Sequence, residues 1–250
     1  FSSFISAMQR LGGGIIPLNG MSNTSVAKGE TLEDTARVFS AYADVIVMRH
    51  PQAGACKIFA KYAGVPVINA GDGIGEHPTQ ALIDLYTIKE ELGRITKLHI
   101  MFIGDLAHYR PVNSLAKLMS LYPEVTFTFA TPQEVSIQDS LREYLNEKKI
   151  NYNEISDFTD VLPVIDVLYI TRVKKEYMSR ELYRRIKGSY IVNKDMANKM
   201  KKKSLIMHCL PRVDEISLDL DNDPRSVYFS SQLSNGLFVR MAILEAICRK

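Results

Sequence analysis

The fold is constrained most by short runs of apolar residues that continue without a polar break. Val45–Met48 and Val167–Ile170 are two such runs. A strand with one face in water alternates apolar and polar residues, whereas a strand buried on both faces reads as continuously apolar. These runs therefore predict sheets covered by helices on both sides. Further strands are predicted at Ile15–Leu18, Val65–Asn69, Leu98–Ile103, Val125–Ala130 and Ser204–Met207.

Helical patterns separate these strands. The clearest begins at Pro78, which suits a first helical turn, and carries an apolar stripe as far as Leu92. Thr31 with Asp34 three residues later is an acidic variant of the capping box and predicts another helix start. Strands that alternate with helices predict an α/β fold with parallel sheets, and Gly93-Arg94 marks the start of a second unit.

Arginines stand at or near the ends of several predicted strands. In parallel sheets, ligands bind beyond the carboxyl ends of the strands, where Arg49, Arg172 and, close by, Arg110 are expected. Arginine binds carboxylate or phosphate through a two-pronged fork, so the pattern predicts a site for an anion-rich substrate. Single arginines after strands also serve as surface ion-pair partners, and that interpretation remains open.

A glycine-rich turn leads into the helix that begins at Pro78. His77 precedes this helix and Gln80 lies one turn into it. An imidazole beside the positive end of a helix is discouraged from charging and can donate a hydrogen bond to a carbonyl, so His77 is a candidate electrophilic residue. The alternative is a tight turn with His77 as a helix cap.

Composition and missing motifs exclude several classes of protein. The net charge is +3 and the basic residues are scattered apart from Lys201–Lys203, so we expect no nucleic-acid partner. No apolar run reaches membrane-spanning length. Three cysteines far apart favour a reducing, cytoplasmic location. We expect no metal and no cofactor, because metal-ligand spacing, a Walker A sequence and a dinucleotide fingerprint are absent.

Several motifs, taken jointly, resemble the aspartate carbamoyltransferases of the aspartate/ornithine carbamoyltransferase family. They are Ser-Val-Ala-Lys-Gly-Glu-Thr (25–31), Val-Met-Arg-His-Pro (47–51), Asn-Ala-Gly-Asp-Gly…His-Pro-Thr-Gln (69–80), Gly-Asp-Leu (104–106), Leu-Tyr-Ile-Thr-Arg-Val (168–173), Leu-Pro-Arg-Val-Asp-Glu-Ile (210–216) and Asn-Gly-Leu-Phe-Val-Arg-Met-Ala (235–242). The match runs through nearly the whole chain in unbroken order.

The resemblance implies a two-lobed architecture and a reaction. The lobes are a carbamoyl-phosphate lobe (1–92, truncated at its start) and an aspartate lobe (93–233), with a last helix (234–250) packing back on the first. Each lobe is a parallel sheet flanked by helices. The implied reaction is carbamoyl phosphate plus L-aspartate to N-carbamoyl-L-aspartate plus phosphate, in pyrimidine biosynthesis. Two alternatives remain: an ornithine carbamoyltransferase, or a non-catalytic family member acting in an assembly.

The resemblance also implies roles for individual residues. Arg49 would bind the phosphate and the carbonyl oxygen of carbamoyl phosphate, and His77 would polarise that carbonyl. Gln80 would hold the carbamoyl amine. Arg110 and Arg172 would hold the two carboxylates of aspartate.

Other implied roles concern a neighbouring subunit and the incoming amine. The family's active sites lie between the subunits of a homotrimer, and Ser25 and Lys28 would enter the neighbour's site. Backbone groups around Leu210 and Pro211 would line the amine pocket.

Four features depart from the family pattern. The phosphate loop would precede Phe1, and an inactive chain is one expectation without that anion cradle. Lys174 stands near the aspartate where Gln is usual, and Cys209 stands where Pro is expected, as in ornithine carbamoyltransferases. Residues 107–111 differ from the usual Lys-x-Gly-Arg-Thr around Arg110.

Overall fold

The computed structural model describes residues 1–20 and 25–249, with residues 25 and 26 described by their backbone alone. The described helices are α1 (Ser2–Arg10), α2 (Leu32–Ser40), α3 (Ala55–Tyr62), α4 (Pro78–Leu92), α5 (Arg110–Met119), α6 (Asp139–Glu147), α7 (Arg180–Ile186), α8 (Lys194–Lys199) and α9 (Ser231–Cys248). The described strands are β1 (Ile46–His50), β2 (Val67–Asp72), β3 (His99–Ile103), β4 (Thr126–Ala130), β5 (Tyr152–Ile155), β6 (Val167–Ile170) and β7 (Leu205–Met207).

The chain divides into two compact units. Unit 1 is Phe1–Gln80 with Ser234–Lys250, and unit 2 is Ala81–Leu233. Most of α4 thus groups with unit 2, whereas the functional boundary predicted from the sequence follows residue 92. No helix among the described residues is both long and apolar enough to cross a membrane.

Unit 1 contains a parallel pair of strands, β1 and β2, aligned from Ile46 opposite Val67 to Met48 opposite Asn69. Its core joins α1, β2 and α9 through Phe4, Ile68 and Leu244. The last helix therefore packs back on the first lobe, as predicted.

Unit 2 contains a five-stranded parallel sheet in the order β5-β4-β3-β6-β7. Successive residues of β3 enter different cores: Ile100 and Phe102 join one buried cluster, Met101 and Ile103 the other. All four residues of β6 are buried. The prediction of strands covered on both faces is confirmed for this unit. It is wrong for β1 of unit 1, predicted in the same way from Val45–Met48, because the residues of β1 are half-buried or exposed.

Local predictions succeeded where a side chain caps or stops an element. The Thr31 Oγ1 accepts a hydrogen bond from the Asp34 N–H at 3.1 Å, so the predicted cap of α2 is confirmed. The predicted strand at Ile15–Leu18 is wrong, because this exposed segment has no regular structure. The sequence also failed to indicate β5, α7 and α8.

Candidate active-site residues in two units

In unit 1, the candidate residues gather at one edge of the sheet. Because β1 and β2 are parallel, their carboxyl ends meet at the same edge. Arg49 is the penultimate residue of β1 and is exposed, while β2 ends in a turn that leads to His77. The structure therefore places Arg49 at the strand end, as the strand-end argument predicted, and brings His77 to the same edge.

A buried carboxylate organises the turn between β2 and His77. Asp72 accepts hydrogen bonds from the backbone N–H groups of Gly54 (2.7 Å) and Glu76 (3.0 Å) and from Asn69 Nδ2 (3.1 Å). Burial by itself would raise the pKa of Asp72, but these hydrogen bonds outweigh it and leave the pKa lowered. The ionised side chain thus holds the turn that presents His77.

The same turn packs tightly on the segment that follows Arg49. Gly73 adopts a φ of +49°, and a Cβ at this position would lie 2.6 Å from the Ala53 nitrogen and 2.7 Å from the Pro51 oxygen. The Gly73 N–H donates to the His50 oxygen at 2.8 Å. Only glycine fits this position, because any side chain would push the backbone of the two strand-end segments apart.

His77 and Gln80 lie at the beginning of α4. The Gln80 N–H donates to the His77 oxygen at 3.0 Å, and the Gln80 side chain is buried. The half-buried His77 imidazole has its Nδ1 3.4 Å from the Thr79 hydroxyl. His77 thus lies immediately before α4, and its imidazole is partly accessible.

In unit 2, three cations surround one strand-end region. Arg110 is the first residue of α5, and Arg172 and Lys174 follow β6. The pKa of Lys174 is lowered, mainly by burial and next by the charge of Arg110, with a smaller contribution from Arg172. Arg172 is held by Glu176, whose Oε1 lies 2.9 Å from its Nη2. The structure therefore brings these three predicted residues together.

Asp105, at the carboxyl end of β3, ties the two cationic segments to each other. Its fully buried carboxylate accepts the Lys174 N–H at 3.1 Å and the His108 N–H at 3.2 Å, and His108 Nδ1 lies 3.0 Å from Oδ1. In return, the Lys174 ammonium donates to the His108 oxygen at 2.8 Å. Asp105 thus fixes the position of Lys174 relative to the beginning of α5.

The segment after β7 carries two more of the predicted residues, Leu210 and Pro211. The Leu210 N–H donates to His208 Nδ1 at 2.9 Å, which leaves the His208 proton on Nε2, 2.8 Å from the Glu215 carboxylate. Leu210 has a φ of +54°, and its peptide bond to Pro211 is cis. Leu210 is half-buried and Pro211 is exposed, so the outer side of this segment is accessible.

A buried polar network behind this segment was missed from the sequence. Asp84 on α4 accepts hydrogen bonds from the Tyr169 hydroxyl (2.9 Å) and from Gln232 Nε2 (2.7 Å), and Gln232 Oε1 accepts the His208 N–H at 3.0 Å. Polar residues inside apolar patterns were the available signal. The partners are too far apart in the chain to be paired from one sequence.

Two predicted residues stand apart from these groups. Lys28 is exposed at the end of a 3₁₀ turn, Ser25–Lys28, and the Ser25 side chain lies outside the described residues. Within 1–20 and 25–249, no group of three or more His, Cys, Asp or Glu residues is arranged to hold a metal ion.

Two family models match the chain in succession. The first, "Aspartate/ornithine carbamoyltransferase, carbamoyl-P binding domain", matches residues 1–90, and the second, "Aspartate/ornithine carbamoyltransferase, Asp/Orn binding domain", matches residues 96–247. The matches follow the order in which Arg49 and His77 precede Arg110 and Arg172.

Named relatives agree with the family models. A chloroplastic aspartate carbamoyltransferase of Arabidopsis thaliana is 47% identical over 98% of this chain, which spans 63% of that relative's length. The chain thus covers less than two thirds of that relative. The aspartate carbamoyltransferase catalytic subunit of Clostridium kluyveri is 46% identical over 97% of this chain and 79% of its own length.

Solved structures agree with the architecture. Aspartate transcarbamoylase of Trypanosoma cruzi, in complex with N-(phosphonacetyl)-L-aspartic acid, superposes with a TM-score of 0.91 at 37% identity, covering 98% of this chain and 78% of that one. The catalytic subunit of the M. jannaschii enzyme gives 0.88 at 46% identity, covering 98% and 80%. With both halves matched in order, the chain belongs to the aspartate/ornithine carbamoyltransferase family.

Proposed function

We propose that this protein is an aspartate carbamoyltransferase, which transfers the carbamoyl group of carbamoyl phosphate to L-aspartate and releases phosphate, in pyrimidine biosynthesis. The observation that carries the proposal is the group of three cations in unit 2, Arg110, Arg172 and Lys174, at the carboxyl edge of the sheet. Relatives of the same family, 47% and 46% identical, bear that name. Functionally, the proposed lobes are 1–92 for carbamoyl phosphate and 93–233 for aspartate, with 234–250 completing the first.

The amine acceptor is held by unit 2 in this proposal. L-Aspartate has two carboxylates, and each guanidinium of Arg110 and Arg172 offers a fork that binds one of them. The backbone carbonyls around Leu210 and Pro211 accept hydrogen bonds from the amine of aspartate. An amine held in this way directs its lone pair at the carbamoyl carbon, which is catalysis by positioning.

Carbamoyl phosphate is held by unit 1. Arg49 binds a phosphate oxygen and the carbonyl oxygen, His77 donates a hydrogen bond to that carbonyl, and Gln80 holds the carbamoyl amine. When the amine attacks, negative charge develops on the carbonyl oxygen, where a cation and an N–H donor stabilise it. The C–O bond to phosphate then breaks, and the departing phosphate takes a proton from the amine, so no protein base is required.

We also propose a homotrimer whose active sites are shared, with Ser25 and Lys28 entering a neighbouring subunit's site. Exposed apolar side chains on unit 1, among them Ile16, Tyr42 and Ile58, support an interface there. Sedimentation equilibrium of the full-length protein tests this, and a monomer at assay concentration contradicts it.

A cytoplasmic location is a separate proposal. It is based on Cys56, Cys209 and Cys248, which form no disulfide bond among the described residues and favour a reducing compartment. Plant relatives are named chloroplastic, so imaging of the tagged full-length protein must distinguish the cytoplasm from an organelle.

One observation favours ornithine as the acceptor. With Cys209, the sequence His208-Cys209-Leu210-Pro211 resembles the motif of ornithine carbamoyltransferases. However, ornithine has a cationic side chain, which Arg172 and Lys174 repel. We therefore assign the acceptor as aspartate.

The test is carbamoyl transfer by the full-length protein to L-aspartate and to L-ornithine in separate assays. We expect turnover with aspartate, and turnover with ornithine alone overturns the assignment. Binding of N-(phosphonacetyl)-L-aspartate by calorimetry distinguishes an enzyme from a non-catalytic family member, because a protein without a working site has no affinity for this combined mimic of both substrates.

A further inference from the structure

Tyr109 lies between the cationic residues of unit 2 and the segment after β7. It immediately precedes Arg110, and its side chain is 6% exposed. Nothing in the proposed reaction uses this tyrosine. Its two ends nevertheless contact two different segments of the acceptor site.

The hydroxyl end contacts Cys209. The Tyr109 oxygen lies 2.9 Å from the Cys209 Sγ. Burial raises the pKa of the Cys209 thiol to about 11, so both partners are neutral near pH 7 and one of them donates a hydrogen bond to the other. Cys209 adjoins Leu210, whose backbone is proposed to hold the amine of aspartate.

The ring end contacts Lys174. The Lys174 Nζ lies 5.7 Å from the centre of the Tyr109 ring and 5.2 Å from that of Tyr177, within the range of cation–π attraction. Because the ammonium also donates to the His108 oxygen, its position beside Arg110 is fixed from three sides.

We propose that Tyr109 is a positioning residue of the acceptor site, holding Lys174 through its ring and the Cys209–Pro211 backbone through its hydroxyl. Its own backbone leads directly into Arg110, so one side chain sets the relative position of three segments that contact the amine substrate. The inference rests on the proposed function.

The two contacts are separable by substitution. Tyr109→Phe removes the hydroxyl and keeps the ring, whereas Tyr109→Leu removes both. Cys209→Ala removes the thiol, and Cys209→Ser retains a hydrogen-bonding group. Tyr144→Phe is the matched control, because Tyr144 also has a lysine over its ring (Lys117, 5.9 Å) and a hydroxyl near a side chain, but lies on α6 outside the proposed site.

Steady-state kinetics of the full-length protein with both substrates is the test. We expect Tyr109→Phe to raise KM for L-aspartate about 5-fold, as for the loss of one hydrogen bond, with KM for carbamoyl phosphate unchanged. Tyr109→Leu should raise it further, about 20-fold, because Lys174 then keeps its charge beside Arg110 but loses the ring that fixes its position. Cys209→Ala should match Tyr109→Phe, Cys209→Ser should remain close to the wild type, and the Tyr109→Phe/Cys209→Ala double variant should be no worse than either single variant.

Several results overturn the inference. They are additive effects in the double variant, equal rises of KM for both substrates, an effect of Tyr144→Phe as large as that of Tyr109→Phe, or a fall in Tm with unchanged kinetics. If the wild type shows no turnover, the proposed function fails. The same pattern is then sought in the Kd of L-aspartate and of succinate by calorimetry, and its absence there overturns the positioning role separately.

Discussion

The sheets of the two units differ in how completely they are buried. Every residue of β6 in unit 2 is buried, whereas β1 in unit 1 consists of half-buried residues and the exposed Arg49. Unit 2 has an extensive apolar cluster on each side of its sheet, whereas the cluster of unit 1 has four buried residues within the described part of the chain. Unit 2 therefore has the larger buried core of its own.

The strand-end edges also differ in what fixes their functional groups. In unit 1, backbone geometry does so: Asp72 accepts backbone N–H groups, and Gly73 allows two turns to touch. In unit 2, Asp105 likewise accepts backbone N–H groups, but side-chain contacts of Tyr109 and of the buried network around Asp84 are added to it. The comparison teaches that one candidate edge depends on the conformation of its turn and the other depends also on side-chain packing.

The largest expected effect separates the two cores. Phe102→Ala should destabilise unit 2 by about 4 kcal/mol, because the ring is fully buried between Phe127, Phe129 and Tyr169. Val47→Ala, at a half-buried position of unit 1, should cost only about 1 kcal/mol.

Native-state hydrogen exchange of the backbone amides measures the local stability of each unit separately. Slower exchange in β3 and β6 than in β1 and β2 is expected for the wild type. Equal protection of both sheets contradicts the comparison.

Arginine substitutions should separate the substrates that the two edges are proposed to bind. Arg172→Ala should lower kcat/KM for aspartate about 100-fold, while Arg49→Ala should lower kcat by a similar factor. Arg184→Ala, at an exposed position of α7, is the control and should change neither. A loss confined to the KM for carbamoyl phosphate in the Arg172 variant refutes the assignment.

Low pH and added salt should change the stabilisation that two buried carboxylates provide, and salt should affect only one of them. The two are Asp166 in unit 2 and Asp72 in unit 1. Asp166 in unit 2 accepts the His99 N–H (2.9 Å) and ion pairs with Lys201 (2.9 Å) and Arg94 (3.0 Å), whereas Asp72 accepts N–H groups only. Burial opposes ionisation at both, yet these partners leave both pKa values lowered.

For a lowered pKa, the stabilisation is present above the unfolded-state value, about 3.9, and is lost as the pH falls through the folded-state value. Asp166→Asn and Asp72→Asn should each cost about 1 kcal/mol at pH 7 and less at pH 3, measured by urea unfolding. Added salt should reduce the cost for Asp166→Asn only, because its ion pairs are screened. The same salt dependence for both variants argues against the comparison.

The smallest effect is expected for Lys174→Gln. The amide keeps an N–H donor for the His108 oxygen and removes the repulsion from Arg110, so KM for aspartate should stay unchanged or fall up to about 2-fold. Kinetics at saturating carbamoyl phosphate measures this. A large loss of activity indicates that the charge of Lys174 has a role of its own.

The features that the sequence could predict are those that depend on local patterns. The doubly buried strand β6, the helix that begins at Pro78 and the clustering of Arg110 with Arg172 all follow from local patterns together with the rule for strand ends. The run at Val45–Met48 has the same apolar pattern, but β1 is only half-buried. β5 was missed because it lies at the edge of the sheet and carries Asn153 and Glu154, which read as a polar segment.

Contacts across the fold are what a single sequence does not specify. The contact between Tyr109 and Cys209 joins residues that are 100 positions apart, and neither side chain has a pattern that indicates the other. The strand predicted at Ile15–Leu18 failed for the opposite reason, since its apolar residues find no neighbouring strand among the described residues.

Because two of the three cysteine thiols react poorly, the third can be labelled selectively. Cys56 is buried. Cys209 is half-buried, and its thiol pKa, raised by burial to about 11, leaves almost no thiolate at neutral pH, whereas Cys248 is exposed at the end of α9. A maleimide fluorophore at pH 7 should therefore label Cys248 alone and report on this helix without mutagenesis. Labelling of a second cysteine on heating would report the temperature at which the structure around Cys56 or Cys209 opens.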